Sequence, residues 1–175
     1  KKKEKKVDFL INNAGVSINF LNNKNILDYW NKTINTNVSS AFFLANDLLS
    51  LLKKSKFSSI VNISSISSLI GMANNQAYNA SKGALNALTY SQAMDFSKFK
   101  IRSNAISPGY IKTIMTNKSY TNKYKYKIRV NRTMSNKYGT SEDISELVIF
   151  LCSKKSKYIN AENIILDGGL LKKGI

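Results

Sequence analysis

The chain alternates short β-branched runs with longer stretches of helical periodicity, separated by turn-forming residues. Val7-Asp8-Phe9-Leu10-Ile11 is apolar and runs into Asn12-Asn13-Ala14-Gly15, the shape of a buried strand entering a tight turn. Over 26–52, apolar side chains recur at Ile26, Tyr29, Trp30, Ile34, Val38, Ala41, Phe42, Ala45, Leu48, Leu49 and Leu52, which predicts one long helix. Residues 58–64 (SSIVNIS) read as an interior strand. A second helix is predicted over 76–96, with Ala77, Ala80, Ala84, Ala87 and Ser91 forming a small-residue stripe that lets it sit close to a sheet. A third strand over 101–107 stops at Pro108-Gly109, and 110–138, polar and rich in Lys and Tyr, reads as a mobile insertion. Ser141 is the expected N-cap of a helix reaching Cys152, and 163–167 is a last strand closed by Gly168-Gly169. Strands alternating with helices at this spacing predict βαβ units and a parallel α/β sheet, in one domain spanning 1–175.

Bulk properties change this picture little. No apolar run in the 175 residues approaches the length of a membrane span, so no membrane partner is expected. The net charge of +17 invites a nucleic-acid reading, which predicts salt-sensitive binding to any duplex. The cations are scattered and are 24 Lys against three Arg, whereas bidentate readers of bases and phosphates favour Arg. The chain is also crowded with Asn and Ile, so compositional bias accounts for the charge and no nucleic-acid partner is expected. Cys152 is the one cysteine, expected to be a buried small hydrophobe, and it allows no internal disulfide. His is absent, which removes the usual triad base and the commonest metal ligand; no metal site is expected. The Lys-rich opening at 1–6 has no apolar core of a secretory signal, and a cytoplasmic location is expected.

Candidate chemistry lies in Tyr78-x-x-x-Lys82, whose i and i+4 positions share a helix face. A phenol is a poor acid or base at neutral pH, with a pKa of about 10. An ammonium about 5 Å away at an effective dielectric of about 20 is worth roughly 3 kcal/mol, enough to bring the phenol toward a pKa of about 8. Such a group trades protons with a substrate oxygen near neutral pH. With 9 Tyr and 24 Lys in 175 residues, about one such spacing arises by chance, so the pair carries weight only in context.

The context is a series of motifs running from Val7 to Gly169. Asn12-Asn13-Ala14-Gly15, Ile34-Asn35-Thr36-Asn37-Val38, Asn62-Ile63-Ser64-Ser65, Tyr78-Asn79-Ala80-Ser81-Lys82-Gly83-Ala84, the segment from Asn104 through Pro108-Gly109-Tyr110-Ile111-Lys112 to Thr113, Gly139-Thr140-Ser141-Glu142-Asp143-Ile144 and Leu166-Asp167-Gly168-Gly169 stand in one order. Together they resemble the short-chain dehydrogenase/reductase family, in particular its 3-oxoacyl-carrier-protein reductases. The resemblance implies a Rossmann-like doubly wound parallel sheet and an NAD(P)-dependent oxidoreductase that interconverts a carbonyl and an alcohol. It implies Tyr78 as general acid/base, Lys82 tuning it and bonding the nicotinamide ribose, Ser65 polarising the substrate oxygen, and Asn37 holding a relay water. Asn12, Ala14 and Gly15, with Pro108, Gly109, Ile111 and Thr113, would line the cofactor, NAD or NADP. The implied partners are a small carbonyl or alcohol substrate, carried on a carrier protein or phosphorylated, and further copies of the chain in a dimer or tetramer built through the helices at 26–52 and 76–96.

Ser64, Ser67 and Ser68 flank Ser65, Asn35 stands close to Asn37, and Asn12 serves equally well to pin neighbouring strands. The family's Gly-rich phosphate turn, expected roughly 75–85 residues before Asn12, is not in this sequence, and neither is the residue that selects between the two cofactors. The chain is therefore expected to be the C-terminal two-thirds of such a domain, its first three strands absent and a sheet edge left open. As written it would bind cofactor poorly, and a silent remnant that only associates with other subunits is the alternative. Ser103, on an otherwise apolar strand, is expected to soften the core.

Overall fold

The computed structural model describes residues 5–18 and 25–173; residues 1–4 of the Lys-rich opening lie outside the described residues. Four parallel strands, β1 (Phe9–Asn12), β2 (Ser58–Ile63), β3 (Ile101–Pro108) and β4 (Asn163–Leu166), pair in the order β1-β2-β3-β4. Between them lie α1 (Ile26–Ile34), α2 (Ser40–Asp47), α3 (Leu49–Leu52), α4 (Gln76–Ser97), α5 (Asn117–Tyr120), α6 (Lys123–Val130) and α7 (Ser141–Leu151). Every residue of β2 and β3 is buried, as expected of parallel strands covered on both faces. Ile60 and Ile101 pack with Leu10, Ala45, Leu52 and Phe96 on one face, and Val61, Ile63 and Ile106 pack with Leu151 of α7 on the other. β1 pairs only with β2 among the described residues, and its Phe9 and Ile11 remain 42% and 41% exposed. No described helix is long and apolar enough to cross a membrane.

The predicted helix over 26–52 is not continuous. α1 passes into a wider π turn at Asn35–Ser39 before α2 begins, and α3 follows a further break at Leu48. The face turned inward is Tyr29, Thr33, Asn37, Ala41 and Ala45, a strict four-residue step, while Ile26, Trp30 and Phe42 face out. A four-residue step drifts around a regular α-helix, and the π turn takes up that drift so that Asn37 stays inside.

Of the small-residue stripe of α4, Ala77 is buried as expected and the other four residues face the other way. Ala80, Ala84, Ala87 and Ser91 are exposed, whereas Ser81, Lys82, Leu85, Asn86, Thr89, Gln92 and Ala93 are buried against the sheet. The inward face is polar because its side chains bond one another. Asn12 donates to Asn62 Oδ1 (2.7 Å), and Asn62 Nδ2 donates to Thr89 Oγ1 (2.9 Å) and Gln92 Oε1 (3.1 Å). Ser103 joins this network by donating to Gln92 Oε1 (3.2 Å), so its hydroxyl is satisfied inside the core.

Two other expectations are corrected. The segment over 110–138 is folded, with α5 and α6 tied down by Tyr110, Tyr120 and Tyr126 around the buried ring of Tyr138, the last two stacked at 5.3 Å. The cap of α7 is Thr140, one residue earlier than expected: its Oγ1 accepts from Asp143 N, and Asp143 Oδ2 accepts in return from Thr140 N (2.7 Å). Cys152 is half-buried at the C-terminal end of that helix.

Asn62→Ala strands the amide of Asn12 and removes a donor from both Thr89 and Gln92, so it should cost about 3 kcal/mol in urea denaturation. Ser103→Ala should cost less than about 1 kcal/mol, because Gln92 Oε1 keeps its bond from Asn62.

Candidate functional site

Parallel strands bring their C-terminal ends to one edge, where the loops after β1, β2 and β3 meet. There an open cleft of about 710 Å³ is lined by Ser17, Ser65, Tyr78 and Gly109 on one side and by the α5–α6 segment on the other. Tyr78 is placed by the start of α4, whose Ala77 N donates to Tyr29 Oη of α1 (3.1 Å) in place of a conventional side-chain cap. Ser65 begins a single helical turn at Ile66–Ser68, and its Oγ accepts from Ser67 N (3.1 Å), which leaves the hydroxyl hydrogen to be donated on the side of Tyr78. Asn86 of α4 clamps that turn through Ser68 Oγ (2.8 Å).

The neighbouring serines do not line the cleft. Ser64 donates to the carbonyl of Lys82 (3.1 Å), Ser68 donates to the carbonyl of Ser65 (2.6 Å), and Ser67 is buried with no partner for its hydroxyl among the described residues. Asn35 is exposed while Asn37 is 2% exposed at the centre of the π turn. Asn37 Oδ1 accepts from Val16 N (2.8 Å), and its Nδ2 donates to Val16 O (2.9 Å) and to Ser81 Oγ (2.9 Å). One side chain thus ties the loop after β1 to α4. Ser81 escaped the sequence reading; its signal is its place one turn after Tyr78, whose carbonyl it also bonds (2.7 Å).

Lys82 is 4% exposed, and its Nζ donates to Ile63 O at the end of β2 (2.7 Å), 5.6 Å from the centre of the Tyr78 ring. Burial without a carboxylate partner lowers its pKa from 10.5 to about 8. Tyr78 departs from the expectation that Lys82 would lower it: burial raises the phenol, and the nearby Ser65 hydroxyl offsets only part of that rise. The ammonium is directed at the Ile63 carbonyl and is itself reluctant to stay charged, so it does little to favour phenolate.

The residues expected to meet a cofactor separate into groups. Gly15 lies over the polar atoms of the site; a Cβ there would stand 3.5 Å from both Asn37 Oδ1 and Lys82 Nζ. Gly109 faces the cleft, and a Cβ would fall 2.8 Å from Asp167, so glycine is required by the close approach of β3 and the turn after β4. Pro108 ends β3 opposite Leu166. Ile111 bridges to Gly139 and lines a smaller cavity of about 160 Å³, and Thr113 is held in a hydroxyl pair with Thr116. Asn12 is held by Asn62 in the sheet, the strand-pinning alternative, and Ala14 is exposed in the loop. An ammonium with one N–H donor spent on Ile63 O among the described residues, a phenol and a hydroxyl fit the nicotinamide-ribose half of a dinucleotide.

Residues 1–171 match the family model described as enoyl-(acyl carrier protein) reductase. The chain belongs to the short-chain dehydrogenase/reductase family. It is 37% identical over 169 residues to a tropinone reductase homolog from Arabidopsis thaliana, covering 97% of this chain and 64% of that protein. It is 33% identical over 171 residues to the 3-oxoacyl-[acyl-carrier-protein] reductase of Chlamydia pneumoniae, covering 96% and 67%. The fold is similar to 4-hydroxyisoleucine dehydrogenase complexed with NADH, with a TM-score of 0.89, 34% identity, and 95% and 69% coverage. It is similar also to a gluconate 5-dehydrogenase from Burkholderia cenocepacia in complex with NADP and tartrate, with a TM-score of 0.89, 26% identity, and 97% and 66% coverage. The chain thus spans just under two thirds of the first of these relatives.

The lowered pKa of Lys82 has a stability consequence. Between about 8 and 10.5 the unfolded chain holds a proton on this amine that the folded protein has released, so Lys82's contribution to stability rises with pH. NMR of the lysine side chains should show one midpoint near 8, and Lys82→Met should flatten the corresponding rise in unfolding free energy between pH 8 and 10.

Proposed function

We propose that the chain is the catalytic portion of an NAD(P)-dependent oxidoreductase that interconverts a ketone and a secondary alcohol, with Tyr78 as the acid and base. The observation that carries this reading is the meeting of Ser65 and Tyr78 in one cleft, with the buried amine of Lys82 one helical turn further on. The relatives named as ketone reductases, and neighbours complexed with NADH in one case and NADP in the other, support it and leave both cofactors open.

A nicotinamide cofactor, when bound, supplies or accepts the hydride. The chain's own residues handle the proton. Burial keeps Tyr78 protonated at neutral pH, so in the reductive direction its O–H stands ready for the oxygen that becomes alkoxide. Ser65, its lone pair held by Ser67 N, donates to the same oxygen. The phenolate left behind is the better partner for the ammonium of Lys82, which with a pKa of about 8 can return a proton near neutral pH. The two N–H groups of Lys82 not spent on Ile63 would reach the ribose hydroxyls. Asn37 holds the Val16 loop and the Lys82 helix in register; both its amide hydrogens are committed, so a relay water would meet its Oδ1 or its main-chain carbonyl.

Exposed Phe42, Phe43 and Leu44 on α2, with Tyr90 and Met94 on α4, support association of further copies through these helices. In the full-length protein, Tyr78→Phe should lower kcat by about 10²- to 10⁴-fold while cofactor affinity stays within about threefold. Equal turnover by the two proteins in a ketone-reduction assay would remove Tyr78 from the chemistry.

A further inference from the structure

Arginine is rare in this chain, with three residues against 24 lysines, so its placement is informative. Arg102 is a buried brace whose Nη1 and Nη2 donate to the carbonyls of Ile159 (3.0 Å) and Leu151 (2.6 Å). The other two, Arg129 in the last turn of α6 and Arg132 in the turn that follows it, both line the cleft that holds Ser65 and Tyr78. Where lysine serves everywhere else, arginine points to a need for its planar fork rather than for charge alone.

Arg129 is also held in position. Its guanidinium lies over the Tyr110 ring (5.0 Å), and Nη1 donates to Ser119 Oγ (2.7 Å). Ser119 passes its own hydrogen to Thr116 O (2.6 Å), so its oxygen is oriented to receive the arginine. One donor of five is spent in this way. Lys118 and Lys125 add charge to the same wall. Among the described residues no carboxylate answers them: the cleft lining contains no Asp or Glu, and the sequence has none between Asp95 and Glu142.

We propose that the substrate carries an oxyanion of its own, a carboxylate or a phosphate ester, held by Arg129 and Arg132 while Ser65 and Tyr78 receive its carbonyl. This rests on the oxidoreductase reading and names its substrate class. An oriented arginine stacked on an aromatic ring is a preformed seat for a bidentate anion, and an uncompensated cationic wall concentrates anions in the cleft.

The test uses the full-length protein, keto acids from levulinate to 7-oxooctanoate, their methyl esters, and dihydroxyacetone with and without its phosphate. Binding is read by ligand-observed NMR and reduction by cofactor absorbance. The best anion should exceed its neutral counterpart by about 10- to 100-fold in affinity and in kcat/KM, and this ratio should fall at least about tenfold in R129Q/R132Q. The carboxylate and phosphate arms tell the two sources apart. Reduction of neutral and anionic ketones with equal efficiency overturns the anion seat, as does a ratio unchanged in the double variant. Arginine dependence seen only with a 3-oxoacyl group on an acyl carrier protein would assign the cations to the carrier and overturn it too. Selective binding of anions with no reduction of any ketone would instead sink the oxidoreductase reading and leave the seat standing.

Discussion

The amine of Lys82 is buried against a main-chain carbonyl instead of a carboxylate, and the organisation of the cleft follows from that choice. A carboxylate partner would hold the ammonium charged across the whole physiological range; the Ile63 carbonyl stabilises it less than burial costs, so the pKa settles at about 8. A group able to give up and regain a proton near pH 8 is therefore buried one helical turn beyond Tyr78. The carbonyl it uses sits where β2 ends, and Ser64 of the next position returns a bond to the Lys82 carbonyl, so strand and helix are locked to each other at the reacting end.

A polar seam runs beneath that point. Asn12, Asn62, Thr89, Gln92 and Ser103 connect β1, β2, α4 and β3 through side-chain hydrogen bonds in the protein interior. Such a seam is unforgiving, because each buried amide costs free energy when left unpaired. The Nε2 of Gln92 is one such unpaired group among the described residues. The benefit is register: apolar side chains tolerate sliding, whereas an amide ladder sets α4 at one height on the sheet, and Tyr78 and Lys82 ride on that helix. Asn37 does the same from the other side, reaching both the loop after β1 and Ser81.

The wall facing this rigid half is built differently. α5 and α6 are short, and aromatic stacking around Tyr138 joins them to the rest of the chain more than apolar burial does. Tyr110 belongs to both systems, packing on Tyr138 and lying under Arg129. Ser65, Tyr78 and Lys82 are thus carried by the end of β2 and by α4, and Arg129 and Arg132 by a separate segment on the facing wall.

The strands were legible because each is a short run containing Ile or Val and stopped by a turn, and the parallel order follows from helices between them. The motif around Tyr78 and Lys82 was legible because i and i+4 share a helix face in any context. Tertiary structure alone decided what depends on partners distant in sequence. Which face of α4 turns inward could not be read from hydrophobicity, since its buried side chains are polar and find their partners on β2 and β3. The π turn at Asn37 answers a contact with Val16 and Ser81. The sign of the Tyr78 shift reversed because burial, and the direction in which Lys82 points, are properties of the assembled core. Spacing along one helix tells which residues can meet; the solvent that packing removes around them decides what the meeting does to a proton.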